Sequence, residues 1–505
     1  MKMNNLFTVF WILFFLTACN DTDLFLAGGG IGGTGSPLPE ESTGTTLTSK
    51  AGESINIGTI TSFGHIFVDG IVVNGIEYDL SQAEIIMNGQ SATAVDLKLG
   101  MIVQVQGTIT DEENKTGVAR LIAADENVVG PLQSIDEINS RLTVLGQTVI
   151  INPFTIFSGF VDINELKSNN ILAVSGLTNE MGHILATRIA LMLPSDRFQV
   201  RGRAFLDYFE QTATIGDLTV DCSQTPFAET KDEVHLFDVK GKLFNNRFIA
   251  EQCQLVEPTE WDNFVTIRLD GVITRFNTST DFDVDHLPVT VNPETQFQLG
   301  MATDLILGSR LKVKGSRDGN GVLVAEEIQF VNLTDYVSIK APIETIATDS
   351  KQINLLGIAL QLNNDTVFID NSDELTPFNW QALRIGDVVQ VQGFIDLNTH
   401  LPIIQQLQRE VRQFGENNVE LIGHPDIVEV GTRTLNFFGI TIMADSRANY
   451  RDNRTTTGAL LNSRDISLTA SEFFTRIQTV KPLIAVEGQW FGQVMIAQQL
   501  VILSE

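Results

Sequence analysis

A chain of 505 residues with 62 acidic and 33 basic side chains carries a formal net charge of −29. That excess excludes the basic groove with interleaved aromatics that single-stranded nucleic acid requires. At 43 % hydrophobic and 19 % charged residues the sequence can build cores, so a wholly disordered chain is excluded as well.

The chain starts Met1-Lys-Met-Asn-Asn5, followed by an apolar run from Leu6 to Leu16. The run is too short to cross a bilayer as a permanent helix and has the proportions of a secretory signal. It ends in Leu16-Thr-Ala-Cys19, which resembles the bacterial lipobox. In that family the cysteine becomes the lipidated first residue of the mature chain. The resemblance implies a lipoprotein signal peptide at 1–18, lipidation of Cys19, export, and a membrane attachment through the lipid. Asn20, in place of Asp, leans by the same resemblance toward the outer membrane, facing the periplasm or the surface. An ordinary cleaved signal with an incidental cysteine is the alternative.

Residues 19–54 read as a tether rich in Gly, Pro and Ser, which cannot pack a core. Gly28 to Gly35 contains G-x-G-x-x-G twice. No strand precedes it, no helix follows, and Pro37 and Pro39 interrupt the sequel, so a dinucleotide loop is rejected.

The rest of the chain repeats. Val103-Gln-Val-Gln-Gly107 returns letter for letter at Val389–Gly393, with looser copies ending at Gly176, Gly241, Gly315 and Gly488. Apolar residues two apart with a polar one between predict a half-buried strand, closed by a turn at the glycine. A second mark follows nine to twelve residues later, as in Ala119-Arg-Leu-Ile122 and Ala325-Glu-Glu-Ile328. Turn residues such as Asn245 and Gly319 lie between the two marks and predict a β-hairpin. A third mark lies upstream, clearest in Gly146…Asn152…Thr155…Phe157 and Gly357…Asn363…Thr366…Phe368. His286…Asn292…Thr295…Phe297 lacks only the glycine, and Gly216…Cys222…Thr225…Phe227 and Gly439…Asp445…Ala448…Tyr450 are variants. A short helical or turn segment precedes the central strand, and Gly100, Gly308 and Gly386 fit its C-cap.

The predicted fold class is therefore all-β with short helices. It is a tandem array of about six OB-like five-stranded barrels following the signal and tether. A run of open antiparallel meanders is the competing architecture. Modules are placed at 55–126, 127–194, 195–258, 262–333, 335–412 and 416–505, with an insertion at 451–482 in the last. That insertion has a helical look at Thr469–Ile477 and reads either as decoration or as a partner-contacting loop. Linkers of a few residues imply that neighbours pack stiffly on one another.

Ile60-Thr-Ser-Phe-Gly-His-Ile-Phe-Val-Asp-Gly70, Thr143-Val-Leu-Gly146 and the repeated Val-x-Val-x-Gly strands together resemble the domain-of-unknown-function 5666 family, found in tandem in exported bacterial lipoproteins. The resemblance covers most of residues 28–410. It is clearest in the first, second and fifth modules, and the third and sixth depart from it. The family carries no assigned catalytic residues, so none is transferred.

Few residues invite chemistry. Cys222 and Cys253 both fall in module 3, on the third-strand mark and the last strand. Those strands are neighbours in such a barrel, so the pair is either a disulfide or two buried thiols that never meet. Asp281, Asp283 and Asp285 share one face of an extended segment. They offer a weak calcium patch or a solvated strand face, because His286 and Asn292 stand where a calcium loop wants Gly and Glu. His65, His183, His235, His286, His400 and His424 occupy different module positions. No His-x-x-x-His, Cys-x-x-Cys, Gly-x-Ser-x-Gly or P-loop occurs. Trp261, Trp380 and Trp490 read as packing.

The expected function is non-enzymatic. A lipid-anchored envelope protein would use its barrels as binding or scaffold units, with no cofactor and no nucleic acid, toward a protein or polysaccharide of the envelope. An envelope enzyme or carbohydrate-processing protein with a site between modules is one alternative. A periplasmic small-ligand or calcium-binding protein is the other.

Overall fold

Alternation of buried and exposed residues runs through every repeat, and each repeat folds as strands. In the computed structural model the described residues are 53–64, 66–67, 70–226, 234–245, 247–256, 261, 264–331, 336–371, 378–396, 399–410, 418–454 and 466–503. The signal peptide, Cys19, the tether up to residue 52, His65 and the middle of the insertion at 451–482 lie outside them.

Module 2 shows the plan. Strand Val128–Asp136 pairs with Arg141–Val144, which pairs with Gln147–Ile150. That third strand lies parallel to the fifth, Ile184–Met192. The fifth pairs with the fourth, Ile171–Thr178, and the fourth returns to the first. The circuit closes, so the module is a five-stranded OB-like barrel and not an open meander. Modules 1, 3 and 4 repeat the same five pairings. In modules 5 and 6 the first strand is broken in two. Tyr336–Pro342 continues as Thr345–Ala347, and Asn418–Gly423 as Ile427–Glu429. Pro342 and Pro425 mark the breaks, because proline has no N–H to give to a ladder.

The repeated glycine has a reason the sequence did not show. It does not close a strand; the strand runs on past it, as Ile102–Asp111 does past Gly107. All six glycines sit at a β-bulge at the same place in the hairpin. A Cβ at Gly393 would lie 2.0 Å from the Ile403 carbonyl oxygen, and the other five would come within 2.1–2.4 Å of the corresponding oxygen. Only glycine lets the two backbones approach this closely. Gly393→Ala is therefore expected to cost about 1–3 kcal/mol, the range for forced overpacking. Gly439→Ala, in the turn before the third strand of module 6, has nothing within 4 Å of its Cβ, and there only the φ of +85° penalises the change. Chemical denaturation of the two variants separates steric approach from backbone conformation.

The third mark serves the same bulge. The hydroxyls of Thr155, Thr295 and Thr366 donate to the carbonyls of Ala186, Ala325 and Ile404, at 2.9, 2.7 and 2.7 Å. Those are the residues facing the bulge glycines. The three threonines are almost fully buried, so each satisfies a carbonyl that has no access to water. In module 3 the hydroxyl of Thr225 turns back to the Cys222 carbonyl instead.

The segment before the fourth strand is a single 3-10 turn in four modules: Ala94–Asp96, Ile163–Glu165, Ala302–Asp304 and Trp380–Ala382. Gly100, Gly308 and Gly386 do have positive φ, yet they are not its C-caps. Leu97, Leu305 and Leu383 are. The glycines belong to the following turn, where their N–H groups donate to the first-strand carbonyls of Ile60, Ile273 and Ile343. Among the described residues only module 6 carries an α-helix, Ala470–Val480, started by a reciprocal Thr469–Glu472 capping box. Phe473, Phe474 and Ile477 of that helix are buried in the core with Tyr450. The helical part of the insertion is therefore a plug of its barrel and not a decoration.

The barrels come in pairs. One half of each first strand has a barrel neighbour on only one side, and a bare edge of that kind invites pairing. Glu53–Phe63 of module 1 pairs in parallel with Phe264–Thr278 of module 4. Val128–Asp136 pairs with Phe198–Asp207, and Tyr336–Pro342 with Asn418–Gly423. The partnerships are 1 with 4, 2 with 3 and 5 with 6, so they do not simply follow chain order. Modules 2 and 3 share one hydrophobic core and modules 5 and 6 another, whereas 1 and 4 keep two, with Ile55 and Ile57 of module 1 reaching into that of module 4.

Candidate functional site

Polar side chains collect where barrels meet. The Thr187 hydroxyl and the Arg188 guanidinium donate to the Gly100 and Leu99 carbonyls at 2.6 and 3.2 Å, joining module 2 to module 1. Arg201 of module 3 reaches Asp125 at 2.5 Å. Arg268 of module 4, almost fully buried, donates to both carboxylate oxygens of Glu112 at 2.8 and 3.0 Å. Lys312 of module 4 pairs with Asp365 of module 5 at 2.9 Å. The indole N–H of Trp490 in module 6 donates to Glu344 of module 5 at 2.9 Å.

Four modules converge on a gap of about 80 Å³, lined among others by Thr59, Thr187, Asp270, Arg310, Asn363 and Gln406. Arg310 holds Asp270 with two parallel bonds of 2.9 and 2.7 Å, and Asp270 is 1 % exposed. A charged pair this deep survives only because each partner satisfies the other. Neither residue stood out in the sequence. The available signal was an aspartate inside Ile267-Arg-Leu-Asp-Gly-Val-Ile273, a strand buried on both faces around it.

The residues singled out in the sequence are placed as follows. Cys222 and Cys253 both lie in the core shared by modules 2 and 3, and both are free thiols. The neighbouring Cys253 thiol and burial push the Cys222 thiol well above its ordinary value. Asp281 and Asp283 do share a strand face, but Arg275 occupies it. Its guanidinium bonds Asp281 at 2.7 Å and Asp283 at 2.9 and 2.6 Å. Asp285 sits apart, in the following turn with a φ of 48°. The three carboxylates therefore do not converge, and among the described residues no trio of His, Cys, Asp or Glu is arranged to hold a metal ion. His183, His235, His286, His400 and His424 belong to five different modules and form no cluster. Trp261, Trp380 and Trp490 pack against the hydrophobic cores. No helix among the described residues is long and apolar enough to cross a membrane.

One carboxylate controls the insertion. Asp452 accepts bonds from Arg454 at 3.0 and 2.8 Å and from Arg476 of the helix at 2.8 Å. Those bonds, Arg454 first, hold its pKa down at about 2. An unfolded aspartate titrates near 3.9, so the depressed group stabilises the fold fully above about pH 4. That contribution is lost as pH falls from about 4 toward 2. Thermal unfolding of the wild type is expected to lose stability across that window, and Asp452→Asn to lose less. Parallel curves for the two would show that the carboxylate does not tie helix to barrel.

Comparison with known proteins adds one finding. The family described as a domain of unknown function (DUF5666) matches residues 57–123, 129–190, 270–329 and 340–400. These fall within modules 1, 2, 4 and 5. The unmatched modules are 3 and 6, and module 6 is the one whose described residues include an α-helix. No curated protein matches the chain. Four of its six barrels belong to this domain family, and the chain is a tandem-domain DUF5666 protein.

Proposed function

We propose that this protein is a non-enzymatic, lipid-anchored component of the cell envelope whose barrels act as binding or scaffolding units. One observation carries the reading. What recurs from module to module is what builds a barrel: the bulge glycine, the threonine bridge in three modules, the capped turn. Side chains with chemistry to offer differ between modules and lie at the seams. A repeated enzyme would repeat its reacting groups; an array repeats its frame and varies its surfaces.

Anchoring rests on Leu16-Thr-Ala-Cys19, and outer-membrane sorting on Asn20. The excess of acid keeps neighbouring copies soluble and apart.

Proximity labelling from intact cells tests the reading. Expected is a reproducible set of envelope neighbours around the wild type, lost with Cys19→Ser, alongside a silent screen for hydrolase and transferase turnover. An activity abolished by one point substitution would overturn it.

A further inference from the structure

A cleft of about 210 Å³ lies on the seam of modules 1 and 5. Trp380, Asn363, Asn379 and Lys351 of module 5 line it among others, with Lys115 and the carboxylates of Glu77 and Glu113 from module 1. One water needs only about 10–15 Å³ on the same measure, so the space has room for a small organic ring.

The lining is rich in fixed donors. The Asn363 side-chain oxygen accepts from the Asp365 N–H at 2.9 Å, and that of Asn379 from the Gln381 N–H at 3.0 Å. These local turns commit the amide oxygens. The NH₂ groups then remain, and among the described residues they carry no hydrogen bond. The Lys351 ammonium is steered by the Asn364 oxygen at 2.6 Å and retains two further N–H donors. Trp380 adds a flat apolar surface with an N–H at its edge. Amide donors, ammonium donors and one indole in a ring-sized cleft suit a ligand bearing many hydroxyl acceptors and an apolar C–H face.

The neighbouring four-module gap supplies a second observation. Asn363 also lines the four-module gap. There Thr59 Oγ1 and Gln406 Oε1 find no hydrogen-bond partner among the described residues. Thr59 is 8 % exposed and Gln406 7 %. Buried polar atoms without partners are rare in folded proteins and call for one. The charged groups of the gap are already matched, Arg310 with Asp270 and Lys312 with Asp365. What is unmet is a neutral hydroxyl and an amide oxygen, the complement of a hydroxyl group.

We infer that the cleft between modules 1 and 5 binds a neutral hexopyranose unit of a glycan. The inference rests on the binding role proposed above and names the ligand class of one seam.

The test titrates the detergent-solubilised full chain with methyl glycosides of glucose, galactose, mannose and N-acetylglucosamine, read by saturation-transfer NMR. At least one probe is expected to bind with Kd on the order of 1 mM, as suits so small a ligand. Trp380→Ala and, separately, Lys351→Ala are expected to weaken it by about tenfold, or about 1.4 kcal/mol. Trp490→Phe, at another seam, is expected to leave it unchanged. Should Trp380→Ala unfold, Lys351→Ala decides alone. Binding by none of the four probes, or equal binding by both cleft variants, overturns the inference. Proximity labelling with Lys351→Ala separates the two claims: unchanged envelope neighbours alongside failed titrations sink the cleft and leave the binding role standing.

Discussion

Replacing Arg310 with methionine is expected to destabilise the protein by about 3–5 kcal/mol, the cost of leaving a buried charge without its partner. Arg310 opens the fourth strand of module 4, and Asp270 lies on its first strand, buried to 1 % exposure. The guanidinium supplies both bonds to the carboxylate. Without it Asp270 must take up a proton, draw in water or move, and any of these disturbs the point where modules 1, 2, 4 and 5 meet. The double variant Asp270→Leu with Arg310→Met is expected to recover most of the loss, because an apolar pair of similar volume often matches a buried ion pair. Urea unfolding followed by circular dichroism reads both. A loss below about 1 kcal/mol in the single variant, the size of an exposed ion pair, would show that water reaches Asp270 after all.

The second large effect concerns module 3. Cys222 and Cys253 are 0 % and 7 % exposed and lie in the same hydrophobic core. If the chain is exported as proposed, it meets oxidised partners. Exchange with a protein disulfide would then pass two electrons and two protons from the thiols to that disulfide, leaving a dithiol on the donor and a Cys222–Cys253 bond here. Closing the intervening stretch is expected to stabilise the fold by about 3–4 kcal/mol on the chain-entropy argument. Protein from the envelope should therefore lose thermal stability on reduction, and Cys222→Ser/Cys253→Ser should not respond to reductant. Two free thiols in the unreduced, unfolded protein would refute this.

Much of the fold was legible because its signals are local. Alternation in Val103-Gln-Val-Gln-Gly107 showed a half-buried strand, and three marks in fixed order showed the barrel. The position of Cys253 even placed it beside the third strand. What stayed hidden lies across space. Gly107 looked like a turn because its real constraint, the Val118 carbonyl, sits on the opposite strand. Thr155, Thr295 and Thr366 were seen as a pattern without a purpose, since the carbonyls they bond lie 31, 30 and 38 residues on. Nothing in Glu53–Phe63 names Phe264–Thr278 as its partner, since one apolar strand edge suits another. The aspartates at 281 and 283 suggested a cation, and Arg275, on the preceding strand, is that cation. The seams escaped for the same reason. Trp380 was read as core packing, and it both packs there and lines the cleft.

Attachment outside the cytoplasm is the premise on which the binding role, the disulfide and the glycan cleft all depend. Intact mass measurement of the protein extracted from membranes in detergent tests it most directly. Expected is a chain starting at Cys19 and carrying the added mass of a diacylglyceryl group and a fatty acyl group. A chain starting elsewhere, or at Cys19 with an unmodified thiol, would contradict it.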